Sequence, residues 1–126
     1  MASTLVTGTD FLCVATQDID RAADFYENLL GLERSKQWGE MPAIEFETGN
    51  LTIALMQSDA FGIEFRASNH PIALRVEDFE AARAELESKG VEFNGDVIDS
   101  GVCLQAFFSD PDGNVLGIHH RYAPAA

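Results

Sequence analysis

The sequence predicts an α+β fold of two tandem βαβββ modules, and three observations carry that prediction. First, an apolar extended stretch, an Asp placed to cap a helix, a helical run and a terminating Gly follow one another twice. Asp18 and Asp78 are 60 residues apart, and Gly31 and Gly90 are 59. Second, Leu51-Thr52-Ile53-Ala54-Leu55 matches Asn114-Val115-Leu116-Gly117-Ile118 at a separation of 63 residues. A repeat of this kind decides an architecture before any single motif does. Third, one such half is too small to bury a stable core, so two must pack together within the 126 residues. The halves cover about residues 9–57 and 70–122 of one domain, joined by a weakly periodic connector over 58–69.

Phe11 to Thr16 (FLCVAT) is apolar and short, as a first strand should be. Asp18 or Asp20 can then accept hydrogen bonds from the free N–H groups at the start of a helix. Ile19, Ala22, Ala23, Tyr26, Leu29 and Leu30 recur at helical spacing and should face the core, and Gly31 closes the helix. Leu32-Glu33-Arg34 begins an extended stretch, and Trp38 falls in a polar loop. Ala43 to Glu47 and Leu51 to Gln57 are strands joined through Thr48-Gly49-Asn50. In the second half Ile72 to Val76 is a strand, and Asp78 caps a helix carrying Phe79, Ala82 and Leu86. Val91 to Phe93 is extended, and Val102 to Phe108 and Val115 to His119 are strands. Between the last two lies Asp110-Pro111-Asp112-Gly113-Asn114, where Pro sets φ for a turn and Gly and Asn tolerate φ > 0. Gly117 stands inside an apolar strand, where a Gly often marks a close approach of backbone or ligand.

Apolar residues make up 46% of the chain and charged residues 23%, which places it among ordinary globular proteins. No stretch is long and apolar enough to span a bilayer, and MASTLVTGTD lacks a basic segment followed by an apolar core. The expectation is a soluble, cytoplasmic protein that meets no membrane. Cys13 and Cys103 are accordingly expected to be reduced and buried rather than paired. The net charge of −13, from 21 acidic and 8 basic residues, argues against nucleic acid as a partner, because phosphates need a basic surface. The same field attracts cationic ligands, or simply keeps a small protein soluble.

The repeat, the helix signature DIDRAADFYENLLGLE and the segment SDPDGNVLGI together resemble the vicinal oxygen chelate superfamily, the group of glyoxalase I, extradiol dioxygenases and bleomycin-resistance proteins. The likeness covers roughly residues 9–121. It implies that the paired modules form a curved, cup-shaped mixed sheet with helices on the outside, and that ligands bind in the cup. It also implies a homodimer, in some relatives with modules exchanged, for which the 58–69 connector gives the length. It does not fix one chemistry, because this fold hosts several. In metal-dependent members four cup-facing positions supply His, Glu or Gln to one divalent ion. Carried onto this sequence, those positions are Phe11, Pro71, Gly117 and Ala54. None can ligate through its side chain, whereas a divalent site wants three or four N, O or S donors. No metal and no other cofactor is therefore expected, and the small Ala54 and Gly117 should leave space instead. His70, beside Pro71, reaches the cup only if a bulge shifts the register; otherwise it is a loop residue ahead of an edge-strand proline.

Strand alternation assigns the cup its other residues. From the first module these are Phe11, Cys13, Thr52, Ala54 and Met56, with Trp38 nearby. From the second they are Ala73, Arg75, Cys103, Gln105, Phe107, Gly117 and His119. Apolar walls with a few polar groups suit a small-molecule pocket. Phe11, Phe107 and Trp38 can stack on a planar ligand. Arg75 can pair with a carboxylate or another anion, unless Glu45 or Glu47 already balances it. His119 is the one general base that parity places in the cup, or else it lies at a frayed strand end in solvent. Cys13 and Cys103 read as small core residues rather than nucleophiles. Phe107 and Phe108 lie on opposite faces, so one of them is core; Phe25, Tyr26 and Phe79 read as packing. The resulting expectation is metal-independent binding of an aromatic or amphipathic small molecule, similar to drug-sequestering bleomycin-resistance proteins. The alternative is a glyoxalase- or dioxygenase-type enzyme, a lyase or isomerase. It would be metal-free, with His119 or a cup carboxylate as base, or would use a displaced metal site.

Overall fold

A computed structural model describes residues 5–124. Residues 1–4, part of the stretch read above for a leader, lie outside the described residues. Each half forms a four-stranded mixed sheet. Sheet A holds β1 (Leu12–Thr16), β2 (Glu33–Gln37), β3 (Ala43–Glu47) and β4 (Thr52–Gln57) in the order β1-β4-β3-β2. Sheet B holds β5 (Ile72–Arg75), β6 (Phe93–Asp99), β7 (Cys103–Ser109) and β8 (Val115–Arg121) in the order β5-β8-β7-β6. In both, the first strand runs parallel to the last and the other pairs are antiparallel. Helix α1 (Ile19–Asp24) follows β1, and α2 (Phe79–Ser88) follows β5. The predicted repeat is present as two units of one topology.

Asp18, not Asp20, caps α1: its carboxylate accepts from the Arg21 N–H at 3.2 Å, as Asp78 accepts from Ala81 at 3.1 Å in α2. Helix α1 continues as a π-helical turn, Phe25–Leu29, in which the Leu30 N–H donates to the Phe25 carbonyl. On this turn two neighbouring rings reach different sheets. Tyr26 packs on Phe46 of β3 with centroids 6.1 Å apart, and Phe25 packs near Phe108 of β7 at 6.3 Å. Phe25 and Leu29 also border a hollow with Asn94 of β6 and Ser109 of β7. Helix α1 therefore sits between its own sheet and the other one. Both sheets and both helices share one apolar core, to which Ile53 and Leu55 contribute from sheet A and Leu116 and Ile118 from sheet B. Burying a side chain of this size stabilises the fold by about 1.5–3 kcal/mol.

The turn at Asp110-Asn114 locks the halves together. Asp110 is buried and accepts from the Tyr26 hydroxyl (2.8 Å), the backbone N–H groups of Asp112 and Asn114 (both 2.9 Å) and the Asn114 side-chain amide (2.8 Å). Asp112 accepts from the Thr16 hydroxyl and from the Gln17 N–H at 2.9 Å, and Asn114 Nδ2 donates to the Ala15 carbonyl at 2.8 Å. Tyr26 is thus core packing and also a polar tie. Burial, and after it the Asp110 charge and hydrogen bond, push its phenol far above the ordinary tyrosine value.

Three local expectations change. Beyond Phe93, β6 runs on to Asp99, with an irregular register between Asn94 and Ile98. An exposed edge strand has no face to bury, so its sequence NGDVID need not alternate. Strand β8 continues past His119 to Arg121. Cys13 is exposed rather than buried, because it lies on the uncovered face of an edge strand; Cys103 is half-buried, and both thiols are free.

Candidate functional site

The residues expected to meet a ligand lie on the sheet faces turned away from the core. They fall into two groups, one on each side of it. Cys13, Thr52, Ala54 and Met56, with Phe11 and Trp38 beside them, belong to sheet A; Arg75, Cys103, Gln105, Phe107, Gly117 and His119 belong to sheet B. Among the described residues the sheets share no strand pairing. Their edge strands β1 and β5 border a gap of about 370 Å³ lined by Leu12, Val14, Ile72 and Leu116, with His70 and Pro71 at its rim. A single chain presents the candidate residues on two separate sheet faces.

The sheet A face carries an aromatic group. Phe11 meets Trp38 edge-on with centroids 5.2 Å apart, and Trp38 meets Phe61 edge-on at 6.3 Å. The Trp38 indole N–H donates to the Glu45 carboxylate at 2.6 Å. Phe61 also lines a hollow of about 120 Å³ with Cys13, Ala15, Met56, Ser58 and Ile63. Phe61 and Ile63 come from the connector, in which sequence reasoning placed no ligand-binding residue. The signal was the pair of large apolar residues around Gly62, whose φ of +69° turns the chain back after the 3-10 turn Ser58–Phe61. Desolvation holds the Cys13 thiol above the ordinary value, which keeps it protonated and poorly nucleophilic.

The expected balance of Arg75 by Glu45 or Glu47 is not found. Glu45 is engaged by Trp38, and Glu47 accepts from the hydroxyls of Ser35 and Thr52. Those two bonds, Ser35 first, hold the Glu47 carboxyl below its ordinary value. Among the described residues Arg75 forms no ion pair.

On sheet B the space expected at Gly117 is taken. Phe107 and Gly117 are direct partners across β7 and β8, and a Cβ added to Gly117 would lie 2.9 Å from Phe107 Cδ1. The ring rests on the glycine. Ala54 is no opening either: it is fully buried, with Cys13 and Glu45 as its partners on neighbouring strands. His119 is half-buried inside β8, in register with Arg75 on one side and Gln105 on the other, and so is not at a frayed end. His120 faces the other way, its Nδ1 3.1 Å from the Val76 carbonyl. His70 is exposed in the loop before β5, whose pairing with β8 is regular, so no bulge swings it inward. Among the described residues no group of three or more His, Cys, Asp or Glu side chains is placed to hold a metal ion. None of the described helices is long and apolar enough to cross a membrane.

The profile of the Glyoxalase/Bleomycin resistance protein/Dioxygenase superfamily matches residues 8–118. The chain belongs to this superfamily. Solved structures share its fold across nearly their whole length. A putative glyoxalase family protein from Bacillus anthracis is 21% identical with a TM-score of 0.79, over 95% of this chain and 99% of that one. An antibiotic binding protein from Streptomyces sp. CB03234 is 24% identical with a TM-score of 0.77, over 94% and 99%. A lactoylglutathione lyase from Agrobacterium tumefaciens is 14% identical with a TM-score of 0.73, over 93% and 96%. At these identities the likeness establishes the fold and leaves the chemistry to the residues. No curated protein sequence matches the chain.

Proposed function

We propose that this superfamily member binds an aromatic or amphipathic small molecule without a metal ion. The observation that carries the reading is the Phe107 ring seated on Gly117. Where metal-dependent members are expected to present a ligand, this chain has no side chain, and an aromatic ring lies over the position. Phe11, Ala54 and Pro71 bring no donor atoms to the other three positions. Such a set does not fit a divalent ion. What sheet A offers instead is the Phe11–Trp38–Phe61 group beside an apolar hollow, suited to edge or face contact with a planar molecule. That a structural neighbour is an antibiotic binding protein supports the class. Pairing of two copies in the cytoplasm would set a sheet A face of one against a sheet B face of the other and complete the cup.

Trp38 is the only tryptophan, so its fluorescence reports on the sheet A face. Aromatic amphiphiles added to chelator-treated protein should quench it and raise the melting temperature; a ligand at 100 times its Kd stabilises by about 2.7 kcal/mol. A response that appears only after Ni²⁺, Zn²⁺ or Mn²⁺ is restored would overturn the reading. The half-buried His119 beside Arg75 favours one second reading, a metal-free lyase or isomerase with His119 as base. It predicts turnover abolished in His119→Ala, and binding without turnover refutes it.

A further inference from the structure

The binding reading above gives the outer face of sheet B a share in the cup but assigns no ligand group to its polar residues. Arg75, His119 and Gln105 are direct cross-strand partners on β5, β8 and β7. Neighbouring strands are about 4.8 Å apart, so the three side chains form one row of hydrogen-bond donors. The adjoining row is Ala73, Gly117 and Phe107, in which the ring lies over the glycine and gives a flat apolar platform.

The charge around these rows is unusual for this chain. Acidic residues outnumber basic ones 21 to 8, yet the outward positions of β5, β7 and β8 carry no carboxylate. Five of the eight cations, Arg21, Arg34, Arg66, Arg83 and Lys89, are engaged in ion pairs. Of the remaining three, Arg75 and Arg121 share this face. Arg121 is turned toward the Pro124 carbonyl at 3.0 Å, which leaves the Arg75 guanidinium beside the platform. A solvated arginine on a sheet face is commonplace by itself. Here the guanidinium, an imidazole and a carboxamide stand in one row beside a ring, and among the described residues neither Arg75 nor His119 is in an ion pair.

We infer that this face takes the carboxylate of an aromatic acid, its ring on Phe107 and its oxygens on the fork of Arg75 with His119 and Gln105 at hand. This rests on the small-molecule reading above and narrows its ligand to a planar monoanion. A guanidinium matches two carboxylate oxygens at once, and such charged pairs are roughly twice as strong as neutral ones. The net charge opposes anions at long range, but the Debye length is about 8 Å at physiological salt, so contact chemistry decides.

The test compares 2-naphthoate with 2-naphthamide, equal in shape and differing in charge, by calorimetry on the wild-type chain. The acid should bind roughly tenfold more tightly than the amide, from hydrogen bonds to a charged group. The preference should shrink at high salt, vanish in Arg75→Ala and survive in part in Arg75→Lys, with circular dichroism confirming the fold. Equal binding of acid and amide, or a preference that persists in Arg75→Ala, overturns the anion assignment and leaves the aromatic reading standing. Failure of both probes, with Trp38 silent to every aromatic ligand, overturns both.

Discussion

Across the middle of sheet A, Cys13, Ala54 and Glu45 stand side by side, and the next row is Ala15, Met56 and Ala43. The same places in sheet B hold Ala73, Gly117 and Phe107, then Arg75, His119 and Gln105. Toward the core the halves agree, with Ile53 and Leu55 matched by Leu116 and Ile118. Away from it they diverge: sheet A sets Glu45 among apolar residues beside Phe11, Trp38 and Phe61, and sheet B carries Arg75 and His119. The turns diverge as well. Asp110 reaches across to Tyr26 of the other half, whereas Thr48 only closes its own turn on Leu51. A shared core ties the inward residues of both halves to one packing solution, while nothing in the packing ties the outward ones.

The largest effect should come from breaking the turn asymmetry. Asp110→Ala strands the buried Tyr26 hydroxyl and two N–H groups and should cost about 3 kcal/mol in urea unfolding. Glu47→Ala, in the first half, should cost clearly less, because its partner Ser35 is exposed and Thr52 only half-buried. Equal losses would mean that the halves are held alike. The same tie has an alkaline signature. The Tyr26 phenol is raised in the folded state, so its contribution is complete below the ordinary tyrosine pKa of about 10 and is lost as pH rises beyond it. Stability measured from pH 9 to 11 should fall less steeply in Tyr26→Phe than in the wild type.

A second comparison concerns Gly117 and Ala54. Gly117→Ala drives a methyl into the Phe107 ring and should cost about 1–3 kcal/mol. Most of that should return in the double variant with Phe107→Leu, and a cycle without coupling would show that the ring does not rest there. Next in size, Phe11→Ala removes one wall of the aromatic group and should weaken aromatic ligands by about 0.5–1.5 kcal/mol, read by Trp38 fluorescence titration. Unchanged affinity would move the ligand to sheet B. The smallest effect lies where Tyr122 donates to Asp99 at 2.7 Å. That bond, then the Gly101 N–H, lowers the Asp99 carboxyl, so its contribution is present above the ordinary aspartate value and lost as pH falls through the lowered one. Tyr122→Phe should shift the Asp99 carboxyl titration upward by NMR; no shift would dismiss the contact.

The repeat, the helix starts and the outward parity of the strands assigned to the cup were legible because they depend on local spacing. Asp78 and Phe108 stand where spacing alone would put them, and Asp18 is one of the two caps that spacing offered. Strand β6 was not legible, since a polar edge strand carries no alternation. The division of the outer residues between two separate sheet faces was not legible either, because no local pattern records that α1 reaches both sheets. The filling of Gly117 had a readable sign: an aromatic residue directly opposite a strand glycine is a known way of covering it. Pairing Phe107 with Gly117 needs only the hairpin register, which the Asp110-Asn114 turn nearly fixes.

The polar tie at that turn also orders events in time. Thr16 meets Asp112 across 96 residues of sequence, Gln17 meets it across 95, and Asn114 reaches Ala15 across 99. Contacts this distant close late in folding, after a long loop has been drawn in. During synthesis, the ties from Ala15, Thr16 and Gln17 therefore stay unmade until the second half's hairpin has emerged. A chain stalled before Asp110 offers its apolar helix face to chaperones, and arrested nascent chains of different lengths should show protease resistance rise abruptly once that turn clears the tunnel.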